Sequence, residues 1–348
     1  MRPRVFGRMR RAARAAMRRW QSSALVLLYH RVADVESDPQ LLCVSPRHFS
    51  EHLQVLAAEA KPLSLGELVV VQGNQKLPRS AVVVTFDDGY ADNLHNALPL
   101  LEGLAIPATV FVATGSLGME RGYWWDRLEQ LLLLPGQLTD PLSVLIGDER
   151  HEWRLDAAAD LDSERFHSNQ GWNVLEMSDP SPRHLAYRAL CQALRSLSAD
   201  AREHVLSQLG AQCKRAATHS TPPRALSEDE LRQLAAPGLV EIGAHSVTHP
   251  VLAKLDLRGQ RLEIEQCKQA LERVCGHGVT SFAYPYGSEA DYSGETVQLV
   301  RQAGFACACT TRPAAVRHSS DALTLPRMIV RDWSGEEFAH RLQNWFLE

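Results

Sequence analysis

Two short segments of the sequence place carboxylate and imidazole side chains at spacings that suit metal chemistry. In the first, Asp87 and Asp88 directly follow the apolar run Ala81–Phe86. In the second, His245 and His249 lie four residues apart, just after another apolar run. One carboxylate and two imidazoles, with a position left open for water, form a catalytic zinc set. The other carboxylate is then available as a base, so the two segments predict a metal-assisted hydrolase.

Each segment also has a purely structural interpretation. Adjacent aspartates often cap a helix, and a histidine at a strand end is often a hydrogen-bonded polar residue without a ligand. The paired spacing of the histidines, and the apolar run that precedes each segment, favour ligation over these alternatives. We therefore predict that one of the aspartates joins His245 and His249 around a divalent transition ion.

Seven short apolar runs predict the buried strands that must position these residues. They are Ala24–Tyr29, Ala81–Phe86, Ala108–Ala113, Leu239–Gly243, Thr280–Tyr284, Phe305–Thr310 and Leu325–Val330. Helical patterns lie between the runs, and this alternation predicts a mostly parallel sheet with both faces covered. Seven such strands predict a closed or nearly closed barrel, in which the chemistry lies at the C-terminal strand ends. The residues at or just beyond those ends include His30, Asp87, Asp88, His245 and Tyr286.

The alternation of strands and helices breaks between about residues 137 and 223. Residues 142–146 and 151–155 predict a hairpin, and residues 183–209 predict a helical stretch. We expect this part to be an α/β insertion on the barrel and not an independent domain.

Charge is distributed unevenly along the chain. Of the 37 basic residues, eight are arginines within residues 1–20, where no acidic residue occurs. The remaining chain holds 29 basic residues against 41 acidic ones, which argues against a nucleic-acid-binding surface. Residues 1–20 also carry apolar side chains at helical spacing, as in a basic amphipathic helix at an anionic membrane surface. A solvated or internally docked helix fits the same pattern equally well.

The spacing of the cysteines and the lengths of the apolar runs indicate the cellular compartment in which the protein is found. The seven cysteines have no framework spacing, which favours packed thiols in a reducing compartment over a disulfide scaffold. The apolar run at residues 24–29 is too short for the core of a secretory signal. No apolar run approaches the roughly twenty residues that span a bilayer. We expect a cytoplasmic protein, with peripheral contact at the inner face of the membrane through residues 1–20.

Three segments together carry a family resemblance. Residues 85–89 read TFDDG, residues 245–249 read HSVTH, and residues 282–287 read FAYPYG. With these motifs the chain resembles the polysaccharide deacetylase family, the NodB-homology esterases (carbohydrate esterase family 4-like) that hydrolyse acetyl groups on glycans. A fourth segment, Arg331-Asp332-Trp333, is a weaker match to another family motif.

The resemblance implies a fold and a domain organisation. The family fold is an α/β architecture, a distorted (β/α)7-type barrel, which agrees with the strand count above. Residues 21–348 would form this NodB-like domain, carrying the inserted α/β segment at about 137–223 and preceded by the basic segment 1–20.

The resemblance also implies a role for each matching residue. Asp87 would be the general base, while Asp88, His245 and His249 would bind zinc or another divalent transition ion. The backbone N–H of Tyr286 would help to hold the oxyanion of the tetrahedral intermediate. Asp87 would take a proton from the attacking water, and the C–N bond would break as the amine is protonated.

The chain departs from the family pattern at two points. The third motif usually begins with an arginine that contacts the base, but Ala283 stands there, so the tuning of Asp87 must come from another residue. The family's late Leu-x-His, whose imidazole is the general acid, is also absent: His318 and His340 do not occur in that pattern. His30 is the better candidate acid, since some relatives supply the acid from an early Tyr-His pair. A buried structural histidine is the alternative.

The aromatic pair Trp124 and Trp125 is a candidate for stacking on a sugar ring, although core packing explains these residues equally well. The sequence thus favours a metal-dependent deacetylase that acts on an N-acetylated sugar in an oligosaccharide, a polysaccharide or a lipid-linked precursor, in surface-glycan synthesis. An amidohydrolase of the same fold acting on a non-glycan amide or imide is one alternative. An inactive glycan-binding homologue is another, but the intact aspartate and histidine pairs count against it. The oligomeric state is left open.

Overall fold

The computed structural model describes residues 23–74, 77–215 and 223–347. The basic amphipathic segment 1–20, and the membrane contact predicted for it, lie outside the described residues. Among the helices that are described, none combines the length and the apolarity needed to cross a bilayer.

A curled sheet of seven parallel strands forms the centre of the molecule. In chain order the strands are β1 (Ala24–Tyr29), β2 (Ala81–Phe86), β3 (Ala108–Val112), β4 (Val240–Ala244), β5 (Ser281–Ala283), β6 (Cys307–Cys309) and β7 (Met328–Ile329). Their order across the sheet is β6-β5-β4-β3-β2-β1-β7, and the short strand Lys61–Pro62 pairs alongside β2. Leu325, just before β7, forms a parallel bridge to Cys309 of β6, so the two edges of the sheet meet. The predicted fold is therefore confirmed.

Alternation along the strands sorts the apolar side chains into an outer and an inner layer. Leu25 and Leu27 of β1 belong to the main core between the sheet and its surrounding helices. Val26 of the same strand belongs to a second cluster with Val83 and Phe111 inside the curled sheet. Both faces of each strand are buried, which is why the strands read as continuous apolar runs.

The late strands are shorter than the apolar runs that predicted them. The run Leu325–Val330 contributes only Met328 and Ile329 to the ladder. Pro326 has no backbone N–H to donate, so the strand cannot pair continuously across it.

All seven cysteines lie within the described residues, and no disulfide joins any two of them.

Eleven α-helices occur in the described parts of the chain. They are α1 (Pro46–Glu59), α2 (Leu65–Gly73), α3 (Leu98–Leu104), α4 (Trp124–Leu132), α5 (Ser163–Asn169), α6 (Pro182–Arg195), α7 (Ala199–Ala211), α8 (Glu228–Ala235), α9 (Leu257–Cys275), α10 (Gly294–Gln302) and α11 (Gly335–Leu347). Ser45 caps α1, and Ser227 with Glu230 forms a capping box on α8. These local signals fix where the helices begin.

The insertion carries its own strands and its own apolar core. The strand Leu142–Ile146 pairs antiparallel with Glu149–Trp153, and α5, α6 and α7 follow. The helical stretch predicted over 183–209 is confirmed and consists of two helices, because α6 ends at Arg195 and Ser198 caps α7 by accepting from the Ala201 amide. A buried cluster separate from the main core joins α4 to the insertion, and it includes Leu128, Leu132, Leu190, Leu194 and Leu206.

Candidate active site

A tight turn at the end of β2 presents the two aspartates. The Asp87 amide donates to the Tyr29 carbonyl at 3.0 Å, which continues the pairing of β2 with β1 for one residue. Asp88 and Gly89 then adopt φ values of 73° and 79°, a left-handed conformation that is costly for Asp88. A Cβ on Gly89 would approach the Val112 side chain to 3.1 Å. The turn therefore sends two adjacent carboxylates in different directions.

Asp87 points into the barrel, where the fully buried Arg327 holds it. The guanidinium donates to both Asp87 oxygens at 2.7 Å. It also donates to the Thr310 carbonyl and the Thr85 hydroxyl. Burial is the largest effect and would raise the pKa of Asp87, but the charge and hydrogen bonds of Arg327, together with His245 and His30, outweigh burial, and the pKa lies below its ordinary value. Asp87 is thus held ionised in a low-dielectric setting.

The two histidines lie on a loop after β4 that is fixed from outside by Glu263 of α9. The Glu263 carboxylate accepts from the amides of Val247 and Thr248, both at 2.8 Å, and from the Thr248 hydroxyl at 2.7 Å. Gly115 donates its amide to the Val247 carbonyl, and a Cβ on Gly115 would lie only 2.7 Å from that oxygen. The loop is therefore anchored on both sides, although His249 itself has a left-handed φ of 52°.

Asp88, His245 and His249 converge on a single point. Asp88 Oδ1 lies 3.6 Å from His245 Nε2 and 3.5 Å from His249 Nε2. The three ligand atoms all lie within 4.8 Å of one another. Ligands bound tetrahedrally at the usual zinc distances of about 2.0–2.2 Å lie about 3.4 Å apart. The spacing therefore fits one divalent ion.

Hydrogen bonding and burial favour the neutral imidazoles that a metal needs. His245 donates its Nδ1–H to the Ala283 carbonyl at 2.7 Å, which leaves Nε2 as the ligand atom. Burial lowers the pKa of both imidazoles, that of His249 strongly. Burial, together with the Asp87 and Asp126 carboxylates, raises the pKa of Asp88 well above its ordinary value. A divalent cation would supply the positive charge that Asp88 lacks.

Tyr286 and His30 lie on either side of this group. Tyr286 has a φ of 60°, and the Thr311 hydroxyl holds its carbonyl at 2.8 Å. Among the described residues, none accepts a hydrogen bond from the Tyr286 amide. His30 follows β1, and the Asn93 side chain holds its backbone carbonyl at 2.9 Å. Burial lowers the pKa of His30 to about 4, against the opposing effect of the nearby Asp87 carboxylate.

The two tryptophans begin α4 and have different environments. Trp125 is buried, stacks on Tyr123 at 4.6 Å, and lies 5.2 Å from the His249 ring. Its indole N–H donates to the Tyr90 hydroxyl at 2.8 Å, and that hydroxyl donates to the Asp126 carboxylate. These bonds make Trp125 a support for the histidine loop.

Trp124 is only half-buried and lies against the wall of the cavity. Its indole N–H lies beside the Tyr286 hydroxyl, yet neither atom makes a hydrogen bond of ordinary geometry. The sugar-stacking role predicted for Trp124 and Trp125 stays a prediction, with Trp124 the more accessible of the two.

All the predicted site residues line one cavity of about 340 Å³ at the barrel mouth. The barrel contributes His30, Gln40, Leu42, Asp87, Asp88, His245, His249, Tyr286 and Thr311, α4 contributes Trp124 and Trp125, and the insertion contributes Val174, Arg188, Cys191, Gln192 and Arg195. Such a volume is at the small end of the range for ligand pockets. Polar atoms on its wall that make no hydrogen bond within the described parts of the chain include Arg195 Nε and His249 Nδ1.

Several residues that support the site were not identified from the sequence motifs. Arg327 takes the place of the arginine that the family motif usually has where this chain has Ala283. Its one sequence signal is a charged residue inside an apolar run. Asp332 of the weaker motif holds the Ser45 cap of α1, accepting from the Ser45 amide at 2.9 Å, and lies 2.7 Å from His48 Nδ1. Glu263 carries no local signal at all.

The structure is a curled α/β barrel. At its mouth lie a buried Asp-His-His group and an aspartate held by an arginine. The family profile described as polysaccharide deacetylase matches residues 74–133 and 177–308, more than half of the chain. The protein therefore belongs to the polysaccharide deacetylase family, as its motifs predicted.

Individual relatives agree with this assignment. The poly-beta-1,6-N-acetyl-D-glucosamine N-deacetylase of Staphylococcus aureus is 30% identical over 123 residues, which cover 32% of this chain and 42% of the relative. The match thus spans about two fifths of that protein's length. Among solved structures, the deacetylase PplD of Streptococcus pyogenes has a TM-score of 0.57 at 17% identity, covering 92% of this chain and 99% of that chain. IcaB from Ammonifex degensii has a TM-score of 0.54 at 19% identity, covering 92% and 97%. These two structures share the fold.

Proposed function

We propose that the protein is a metal-dependent hydrolase that removes the N-acetyl group from an N-acetylated sugar of a glycan or of its precursor. The convergence of Asp88, His245 and His249 beside an ionised, arginine-held Asp87 carries the proposal. Family membership supports it, as does the S. aureus relative, whose name describes an N-deacetylase of a glucosamine polymer.

The chain's own residues divide the reaction between them. A divalent ion at Asp88, His245 and His249 would polarise the acyl oxygen and make a water more acidic. Asp87 accepts the proton from the attacking water, because Arg327 keeps its carboxylate ionised. The Tyr286 amide donates to the oxygen on which negative charge develops.

His30 delivers a proton to the leaving nitrogen in this proposal. Its pKa of about 4 means that the imidazole is neutral at pH 7 in the resting site. It therefore first takes up the proton that Asp87 has removed from the attacking water, since negative charge developing on the substrate favours the protonated imidazole. His30 then gives this proton to the nitrogen as the C–N bond breaks.

The test combines metal content with acetate release. We expect the purified full chain to bind about one zinc ion per molecule, and to release acetate from an N-acetylated glucosamine oligomer with β-1,6 or β-1,4 linkages. Asp88→Ala should lose both the metal and the activity, whereas Asp87→Asn should keep the metal and lose the activity. Sub-stoichiometric metal, or full activity in Asp87→Asn, would contradict the assignment.

A further inference from the structure

The insertion touches the barrel mouth on two opposite sides of the cavity. On the first side it meets the loop after β1. Gln40 donates from Nε2 to the Tyr187 hydroxyl of α6 at 2.8 Å. The Val174 amide donates to the Pro39 carbonyl at 2.9 Å. The Tyr187 ring is itself buried in the insertion core, so this contact joins two rigid parts.

On the second side, the end of α6 and the start of α7 meet the loops after β4 and β5. The Arg195 guanidinium pairs with the nearly buried Asp291 carboxylate and lies 4.3 Å from the centre of the Tyr286 ring. Arg202 reaches the His249 carbonyl at 3.4 Å. The insertion therefore spans the mouth from the β1 side to the β5 side.

This span blocks the path that an extended polymer would need. A polysaccharide that is modified in its interior must enter and leave the site, which requires a groove open at both ends. Here Val174, Cys191, Gln192 and Arg195 of the insertion line the same cavity as the metal ligands. The cavity volume of about 340 Å³ is at the small end of the range for ligand pockets, which suits one sugar and its acyl group.

The polar atoms of the wall suit a compact, hydroxyl-rich ligand. Arg195 Nε, Trp124 Nε1 and the Tyr286 hydroxyl are buried, and none of the three makes a hydrogen bond of ordinary geometry with the described residues. Leu42, Val174 and the face of Trp124 line the same cavity. A wall with a few polar atoms among apolar and aromatic groups is typical of a pocket that encloses one small ligand.

We propose that the insertion turns the site into a one-ended pocket that accepts a single N-acetylated sugar unit, at a chain end or on a carrier, and excludes chain interiors. This inference rests on the proposed deacetylase function. Substrate length is then decided by residues of the insertion, which take no part in the chemistry.

The experiment uses the full zinc-loaded chain and an N-acetylated glucosamine pentamer labelled at its reducing end. Tandem mass spectrometry identifies which unit loses its acetyl group first. We expect one terminal unit to react at least about tenfold faster than any interior unit, and a methyl N-acetylglucosaminide to be a substrate. Comparing that glycoside with a nucleotide-linked sugar separates a chain end from a carrier.

Binding provides a second readout that does not need turnover. In Asp87→Asn, calorimetry should give the same affinity for a disaccharide and a pentamer, because only one unit enters the pocket. Gln40→Ala/Arg195→Ala removes a contact on each side and should raise interior deacetylation at least about tenfold. Arg150→Ala, on the exposed hairpin of the insertion, is the matched control and should leave the pattern unchanged.

The outcomes separate the two proposals. Interior units that react as fast as terminal ones, or an affinity that rises steadily with chain length, overturn the one-ended pocket while the deacetylase function stands. If neither the pentamer nor any single-sugar substrate releases acetate from the zinc-loaded chain, the deacetylase function fails, and the pocket inference fails with it.

Discussion

The barrel and the insertion build opposite walls of one cavity by different means. On the barrel side, charged groups are buried and each is held by several bonds: Arg327 makes two to Asp87, and Glu263 makes three to the histidine loop. On the insertion side, the wall has apolar and uncharged groups with two cationic residues, Arg188 and Arg195. The barrel wall therefore holds charged groups in fixed positions, whereas the insertion wall determines the shape of the cavity.

The two regions also have separate apolar cores. The main core packs helices against the outer face of the sheet, whereas the insertion core packs α6 and α7 against α4. Since separate cores respond separately to substitution, changes in the barrel should affect catalysis and metal binding, and changes in the insertion should affect substrate binding. Four substitutions test this division.

The largest effect is expected for Arg327→Met. Without the guanidinium, burial dominates and the pKa of Asp87 rises, so that the carboxyl is protonated at neutral pH and cannot act as a base. We expect kcat to fall by about 10²–10⁴-fold and the free energy of unfolding to fall by about 3–5 kcal/mol, because a buried charge loses its partner. Turnover and urea denaturation measure the two effects.

A second variant keeps this prediction testable. Asp87→Asn in the Arg327→Met background removes the unpaired carboxylate, so part of the lost stability should return while activity stays lost. The rate of Arg327→Met itself should rise with pH, as the carboxyl with its raised pKa ionises. A pH-independent loss of rate would show that Arg327 acts in some other way.

The contrast between Asp87 and Arg327 shows what a sequence can reveal. Asp87, Asp88 and the two histidines lie within short segments after apolar runs, so their spacing is visible without a structure. Arg327 is 240 residues from Asp87, and only the pairing of β2 and β7 on the two sides of β1 brings them together. The fold was predictable because buried parallel strands leave a continuous apolar signal. The pocket wall was not, since helix packing in the insertion decides where Arg195 points.

His30→Ala tests the proton-donor role that we propose for His30. We expect kcat to fall by about 10²–10⁴-fold, the usual contribution of a general acid, while zinc content stays unchanged because the metal group does not include His30. Acetate release and metal analysis on the same sample measure both. His340→Ala on the exposed face of α11 is the control, and a near-normal kcat in His30→Ala would remove this residue from the mechanism.

Leu190→Ala tests the insertion core. Leu190 is fully buried in the insertion cluster, and the cavity left by its truncation should cost about 2–5 kcal/mol. If the two regions are independent, KM should rise while zinc content is retained and kcat changes by less than about threefold. Leu271→Ala, fully buried on α9 in the main core, is the matched variant. It should weaken zinc binding, because α9 also carries Glu263. Equal loss of zinc in both variants would mean that the two cores behave as one.

The smallest effect concerns Glu129, which lies on α4 between the two regions. Its carboxyl accepts from the Ser37 hydroxyl at 2.8 Å, and burial raises its pKa from the ordinary 4.5 to about 8. The folded protein therefore keeps a proton that the unfolded chain releases, so this group lowers stability progressively as the pH rises from about 4.5 to 8.

Glu129→Gln keeps an acceptor for Ser37 and removes the titration. The variant should therefore become more stable than the wild type as pH rises from 5 to 8, by at most about 1.4 kcal/mol per pH unit. Thermal unfolding at a series of pH values measures the difference. Glu149→Gln, exposed on the insertion hairpin, is the control and should change stability by less than about 0.5 kcal/mol. A constant difference between Glu129→Gln and wild type across this range would mean that Glu129 is ionised in the fold. Charged groups would then hold the junction of α4 with the barrel, as they hold the barrel wall. Apolar packing, which holds the insertion together, would not be the main contribution at this junction.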